Sequence, residues 1–593
     1  MTISALQQGY ASGRKPIEII EEIYRRIEKE PLQPVWISLV PRETALARAR
    51  ALERRSPKTS SLPLYGIPFA ISDNIDVEGV PTTAGCPDYS YTASQSATTV
   101  WRLIQAGAIP IGKTNLDQFA SGLTGVRSPY GACSSVFGDE YISGGSSSGA
   151  AIAVAKGLVA FALGSDAGGA GRVPAAFNDL VGLKPTRGVL STSGVVPACR
   201  TLDCVSIFSR TCGDAHAVWK AAKGFDPDDP FSREPRCGGT AAPWLAGAFR
   251  FGVPFEEQLE FFGDSGAAEL YEAAVARLQE LGGEKVEIDF SIFRLAADLL
   301  ARGPWDAERL SAIREFLPAH GESMQPVVYE TIMNGAQYSA VDSFHARYRL
   351  KELRRASEAQ WSRMDVMVVP TTGTIYTHAD VADDPIGTDH DLGIYTRFVN
   401  LLDLAAVAVP AGFRSNGIPF GVSVIGPQFS DEALLVLADR FHRSQVMLPG
   451  EPLQTGLVPP GCIALAVVGA HLTDQPMHWQ IIEARARLLK ATRTAPGYRL
   501  FALEGTKPTK AGLVRDEQFQ GAGIEVEVYA MPEDHFGAFA VNVPAPLTIG
   551  NLVLESGDTV KGFLAEPSAI QGAVEITEYG GWRNYLARAE ALA

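Results

Sequence analysis

Between Pro16 and Glu30 the apolar positions fall at Ile17, Ile19, Ile20, Ile23, Tyr24 and Ile27, which form one stripe of a helix. The stretch Glu43–Arg54, rich in alanine and arginine, predicts a second helix made of good helix formers. From Leu64 the pattern shortens. The runs PLYGIPFAI and AIPIGKT bracket the helix-like ATTVWRLIQAG, and Val159–Leu163, Phe249–Pro254 and Asp365–Val369 read as further buried strands. This alternation predicts an α/β protein with βα units around a mixed, largely parallel sheet flanked by helices. Ligands of such folds sit in loops at the carboxyl ends of strands. The Pro- and Gly-rich residues 448–461 predict a linker between domains at 1–447 and 462–593.

The stretch 143–178, SGGSSSGAAIAVAKGLVAFALGSDAGGAGRVPAAFN, stands apart. Two glycine-rich loops, Ser143–Gly149 and Gly164–Gly171, flank an apolar run long enough for a short helix and a strand. Glycine lets backbone N–H groups approach a ligand closely, and serines add hydroxyls at the same place. A flexible linker would not be interleaved with AAIAVA and LVAFAL. A phosphate loop is excluded, because Ala150 and Ala151 follow Gly149 where Lys and Ser or Thr are needed. The stretch predicts a buried, backbone-lined pocket for a small polar or anionic molecule.

Composition narrows the classes. A chain of 593 residues is too long for one ordinary core, and 46% hydrophobic with 20% charged residues indicates a folded α/β protein. A net charge of −15 argues against nucleic acid or an anionic membrane as partner. The seven cysteines include no C-x-x-C pair and read as reduced thiols. There is no apolar signal core and no run of ~18–20 apolar residues, so the expected location is cytoplasmic. The histidines show no metal-ligand spacing, and no metal or cofactor is expected.

The segments SGGSSSGA, GSDAGGAGRVPAAFNDLVGLKPTRG and GIPFAISDNID resemble the amidase signature family, whose members cleave amide-type C–N bonds. Within it, PLYGIPFAISDNIDVEGVPTTAGCP, GKTNLDQFASGL and FVNLLDLAAVAVPAGFRSNGIPFGVSVIG are similar to the allophanate hydrolases. The resemblance spans nearly the whole chain. It implies a central mixed sheet flanked by helices, a small ureido or amide substrate, and a homodimer.

In that family a buried, neutral lysine is the base and a serine in a cis peptide relays the proton. A second serine attacks the carbonyl, and backbone N–H groups of the preceding loop hold the oxyanion. By resemblance the relay is Ser146, and Gly168 and Gly169 belong to the oxyanion loop. Two positions depart. Ser72 in AISDN stands at the base position, and Ala170 in GGAGR stands at the nucleophile position. Alanine has no lone pair to attack with, and a serine hydroxyl is no base near neutral pH, so hydrolysis is expected to be impaired. Among nearby lysines, Lys113 in GKTN reads as a structural cation and Lys156 as a side chain snorkelling from a helix end.

A helix between Leu299 and Leu310 is expected to present Arg309 to a substrate carboxylate, a role suited to a guanidinium fork. Without the resemblance, Arg309 reads as an ordinary charge partner on a surface helix. The family has a tyrosine two turns earlier, where this chain has Ala301, which enlarges the pocket.

Beyond the linker, CIALAVVGAHLTDQPMHW, GIEVEVYAMP and EITEYGGWRNYLA resemble the allophanate hydrolase C-terminal domain. The resemblance implies a small α+β, γ-glutamyl-cyclotransferase-like unit. His471 is its candidate acid–base residue, since an imidazole pKa near ~6.5 permits proton exchange at neutral pH. A satisfied core histidine is the equal alternative. Lys510, Arg515 and Trp582 would line an anion pocket there. Three function classes stay open: an amidohydrolase, an inactive pseudoamidase with a binding or regulatory role, and an enzyme repurposed for a biosynthetic step on a larger substrate.

Overall fold

This computed structural model describes residues 1–29, 33–54, 62–234, 249–453, 462–503, 508–516 and 518–592. Most of the expected linker, 454–461, lies outside the described residues. Those that are described divide into two compact units, one within 1–234 and 248–454, the other within 455–593.

The first unit is organised by an eleven-stranded sheet among the described residues. In chain order its strands are β1 (Trp36–Leu39), β2 (Pro68–Ser72), β3 (Ile109–Thr114), β4 (Phe161–Asp166), β5 (Val181–Lys184) and β6 (Cys204–Ser209), followed by β7 (Phe249–Pro254), β8 (Gly283–Ile288), β9 (Val366–Pro370), β10 (Leu404–Phe413) and β11 (Pro419–Pro427). In space they run β1-β3-β2-β4-β6-β5-β10-β11-β9-β7-β8. The strands read from apolar runs all form, and helices flank the sheet as expected.

The expectation of a largely parallel sheet needs correction. β2 is parallel to β3 and β4, and β7 to β8 and β9, but every pair from β4 through β6, β5, β10 and β11 to β9 is antiparallel. For one of these pairs the reason is connection length: β10 and β11 are joined by residues 414–418 alone, too few for the crossover a parallel pair requires.

Three short elements bring the glycine loops to this sheet. Helix α1 (Ser148–Ala155) is apolar on all sides, so it is stable only where it is enclosed; it packs on β2 and β4. It stops at Gly157, which takes φ +64°, the left-handed conformation that favours glycine after a helix. Lys156 stands at its C-cap, so the helix end falls where the sequence reading put it. Helix α2 (Val173–Phe177) follows the second loop and packs on β10 and β11. Phe69 of β2 stacks on Phe161 of β4 at 5.0 Å, and both rings are fully buried. Each such burial contributes about 1.5–3 kcal/mol.

In the second unit β12 (Cys462–Val467), β13 (Arg487–Arg493), β14 (Tyr498–Leu503), β15 (Lys510–Arg515), β16 (Glu525–Pro532), β17 (Leu547–Val553) and β18 (Thr559–Ala565) build two sheets. One has the order β13-β16-β12-β18-β17, and β14 and β15 belong to the other.

Candidate functional site

Ser72 ends β2 and Asp166 ends β4, and these adjacent parallel strands pair Ile71 with Leu163. The register sets Ser72 beside Gly164. A Cβ at Gly164 would lie 2.5 Å from the Ser147 hydroxyl oxygen, so the bare α-carbon lets the first glycine loop close onto the strand ends. The Gly145–Ser146 peptide bond is cis. The Ser146 carbonyl accepts from the N–H groups of Asp117 (2.9 Å) and Ser148 (2.8 Å). Gly145 is equally constrained, because a Cβ there would collide with the Asp117 carboxylate. The hydroxyls of Ser72 and Ser146 are both fully buried, and neither has a hydrogen-bond partner among the described residues.

Lys113 is no substitute for a base at Ser72. It pairs with Ile71 across β2 and β3, whereas Thr114 pairs with Ser72, and side chains alternate faces along a strand. Its ammonium lies 3.4 Å from the Asp73 carboxylate and donates to Thr82 Oγ1 at 2.9 Å. Burial pushes both Lys113 and Asp73 toward their neutral forms, against their mutual attraction.

The second loop is held from below by an ion pair. Arg172 Nε and Nη2 each lie 3.0 Å from an Asp166 carboxylate oxygen, a bidentate fork with both side chains fully buried. The same carboxylate accepts the N–H groups of Gly169 (2.8 Å) and Gly171 (3.0 Å), and Arg172 also reaches Thr396 O and Asn400 Oδ1. Burial raises the Asp166 pKa, but the Arg172 charge and these hydrogen bonds outweigh it and leave it below its ordinary value. Gly169 adopts φ +139°, a conformation open to glycine, and Ala170 sits at the turn.

Ala170 opens onto a small cavity of about 90 Å³. Gly168, Ala301 and Arg309 line it too, so four residues singled out from the sequence meet at one place; Ser72, Ser146 and Gly169 are not in its lining. Ala301 and Arg309 come from two helices rather than one. Helix α3 (Ser291–Ala301) ends before Gly303 and Pro304, and α4 (Trp305–Ala312) starts beyond them, because proline cannot continue a helix.

The cavity is electropositive. Arg127, Arg309 and Arg397 line it against Asp306 and Asp389. Asp389 is already engaged, 2.7 Å from Arg397 Nη2 and 3.4 Å from Arg127 Nη2, and it accepts Leu123 N–H at 2.7 Å. Arg309 has one ion-pair partner, Asp306 at 3.6 Å, and makes no hydrogen bond among the described residues, although Asp203 and Asp389 also act on its charge. Burial lifts the Asp306 pKa to about 6, against the pull of Arg309 and Arg397. Of the three arginines, Arg309 is the one without a hydrogen bond to a carboxylate or carbonyl among the described residues.

Residues 18–435 match the amidase family model, and residues 463–587 match that of the allophanate hydrolase C-terminal domain. The chain belongs to the amidase family. It is 42% identical to Saccharomyces cerevisiae urea amidolyase over 604 residues, covering 97% of this chain and 32% of that protein. It thus spans about a third of the length of the urea amidolyases it matches. The solved structure of Kluyveromyces lactis allophanate hydrolase is 39% identical, covers 98% of both chains and superposes with a TM-score of 0.79. The solved peptide amidase PAM is 25% identical, covers 77% of this chain and 99% of its own, and superposes with a TM-score of 0.64.

In the second unit His471 lines a separate cavity of about 550 Å³ with Lys510, His535, Trp479 and Gln480. Its Nε2 lies 2.9 Å from Gln480 Oε1 and its ring stacks on Phe563 at 4.8 Å. Burial lowers its pKa, so the neutral imidazole is favoured. The placing of Trp582 at an anion pocket needs correction: its ring is buried in the apolar core of this unit, and Arg515 is not in the cavity lining.

Sequence reasoning missed Arg127, Asp306, Asp389 and Arg397, which lie far apart along the chain in no recognisable spacing. It also missed Asp203, which accepts the N–H groups of Ala198 and Cys199 and whose pKa burial lifts to about 7. Between about pH 4 and 7 the folded chain keeps a proton there that the unfolded chain has lost. Stability should therefore fall as pH rises through that window, by about 1.4 kcal/mol per pH unit from this group. Asp203→Asn should flatten the dependence of the urea midpoint on pH over that range.

Proposed function

We propose that the amidase unit recognises a small carboxylate-bearing ureido or amide compound of the allophanate type but hydrolyses it poorly or not at all. The observation that carries this reading is Ala170, a side chain with no nucleophilic atom, at the loop turn that lines the cavity beside Arg309. Behind that loop, Ser72 offers a hydroxyl where the family's base is a lysine. Recognition is kept: the cavity has the Arg309 guanidinium and Gly168 in its lining, while the Gly169 N–H is taken by the Asp166 carboxylate that holds the loop.

The second unit supports acid–base chemistry of its own. His471, held by Gln480 in a cavity with Lys510, is the candidate group for exchanging a proton with a small anion there. On this reading the protein binds an allophanate-type ligand without a complete hydrolytic centre in its amidase unit. The family's expected homodimer would find apolar surface on α5 (Ala340–Trp361), where Val341, Phe344 and Tyr348 are exposed. Light scattering at micromolar concentration reads that assembly.

Calorimetric titration with N-carbamoylglycine, a stable ureido acid, tests recognition. The native protein should bind it, and Arg309→Ala should weaken binding by about 1.5–3 kcal/mol, the range for a hydrogen bond to a charged group. Equal affinity in the two proteins would remove Arg309 from the site.

A further inference from the structure

A larger groove, about 870 Å³, lies on the other side of α4. Asp306 and Arg309 face the small cavity, whereas Ala307, Glu308 and Ser311 of the same helix line the groove. Its floor is apolar, with Trp305 and Leu350, and its wall is cationic: Arg347, Lys351, Arg354 and Arg355 from α5, joined by Arg187.

This positive charge is poorly compensated within a protein of net charge −15. Arg187 and Arg354 both turn to Asp403, at 3.1 and 3.7 Å. That carboxylate is already held by both Nη atoms of Arg233 at 2.8 Å. One negative charge thus serves three guanidinium groups. Arg355 is paired with Glu358, and Glu308 is occupied by the N–H and hydroxyl of Thr201. Arg347 and Lys351 have no ion-pair or hydrogen-bond partner among the described residues. They stand one turn apart, and the row from Arg347 to Arg354 covers about 10 Å along the helix axis. A concave wall of one sign focuses field and concentrates counter-charge.

We propose that this groove binds a phosphorylated organic anion of nucleotide size. Its volume falls in the range of small-molecule sites, an apolar floor suits a flat ring, and guanidinium groups in a row suit a chain of phosphates. Because α4 separates the two recesses, a ligand held here lies against the helix that carries Arg309. The proposal does not depend on whether the amidase unit turns over.

The test is calorimetric titration of the full chain with ATP at low salt, beside pyrophosphate and adenosine. ATP should bind once per chain, about tenfold or more tighter than either fragment, and weaken as salt is added. Arg347→Ser with Lys351→Ser should lower ATP affinity by about tenfold or more while leaving the thermal midpoint unchanged. ATP should also change tryptophan emission, and Trp305→Phe should remove that change. The proposal is overturned by a lack of saturable ATP binding, by pyrophosphate binding as tightly as ATP, or by unchanged affinity in a folded double variant.

Discussion

The variant Ser72→Lys with Ala170→Ser is expected to release ammonia from allophanate about 10³-fold or more faster than the native protein, while each single change has almost no effect. A nucleophile without a base, or a base without a nucleophile, leaves the same broken step, so the two substitutions are strongly non-additive. The Ser146 hydroxyl is fully buried with no partner among the described residues, and the register sets Ser72 beside Gly164, where the second glycine loop begins. Adding Ala301→Tyr should then lower KM more than it raises kcat, because a group that seats the carboxylate binds ground state and transition state alike. A well-folded but inactive triple variant would favour the repurposed reading.

The largest stability effect is expected at Asp166. Asp166→Ala leaves the Arg172 guanidinium buried without its counter-charge and frees the N–H groups of Gly169 and Gly171. Breaking a buried pair from one side costs about 3–5 kcal/mol, much of it the uncompensated charge. Replacing both partners, as in Asp166→Leu with Arg172→Met, should cost less than the single change. Because the folded-state pKa of Asp166 lies below its ordinary value, its contribution is complete above about pH 4 and is lost as pH falls through the folded value. Urea unfolding followed by fluorescence measures both effects, and an Asp166→Ala midpoint equal to that of the native protein would contradict the role given to the pair.

Much of this was legible from apolar runs and glycine spacing. Phe249–Pro254 could be bounded from the sequence because a largely buried strand reads as a short apolar run, here broken only by Arg250. The glycine loops were legible because close backbone approach tolerates little else. Strand direction was not. Nothing in the runs around β5, β6 and β10 says which neighbour each will choose, and antiparallel pairing there follows from tertiary closure. The break between α3 and α4 did have a signal, Gly303–Pro304, which the charge spacing around Arg309 obscured. Asp389 and Arg397 had none, since only folding brings them to Arg127. Trp582 shows the opposite error, a motif residue whose place is the core.

The central claim, that the amidase unit binds but does not turn over, is tested most directly on the unmodified protein. Ammonia release from allophanate should be measured for the native chain and for His471→Ala, which removes the candidate acid–base group of the second unit. The account predicts release no faster than about 10³–10⁴-fold over the uncatalysed reaction in both, the residue left by binding and an oxyanion loop alone. Sustained turnover in both proteins at the rate of an intact serine hydrolase would contradict it, and would mean that a nucleophile other than residue 170 serves this cavity.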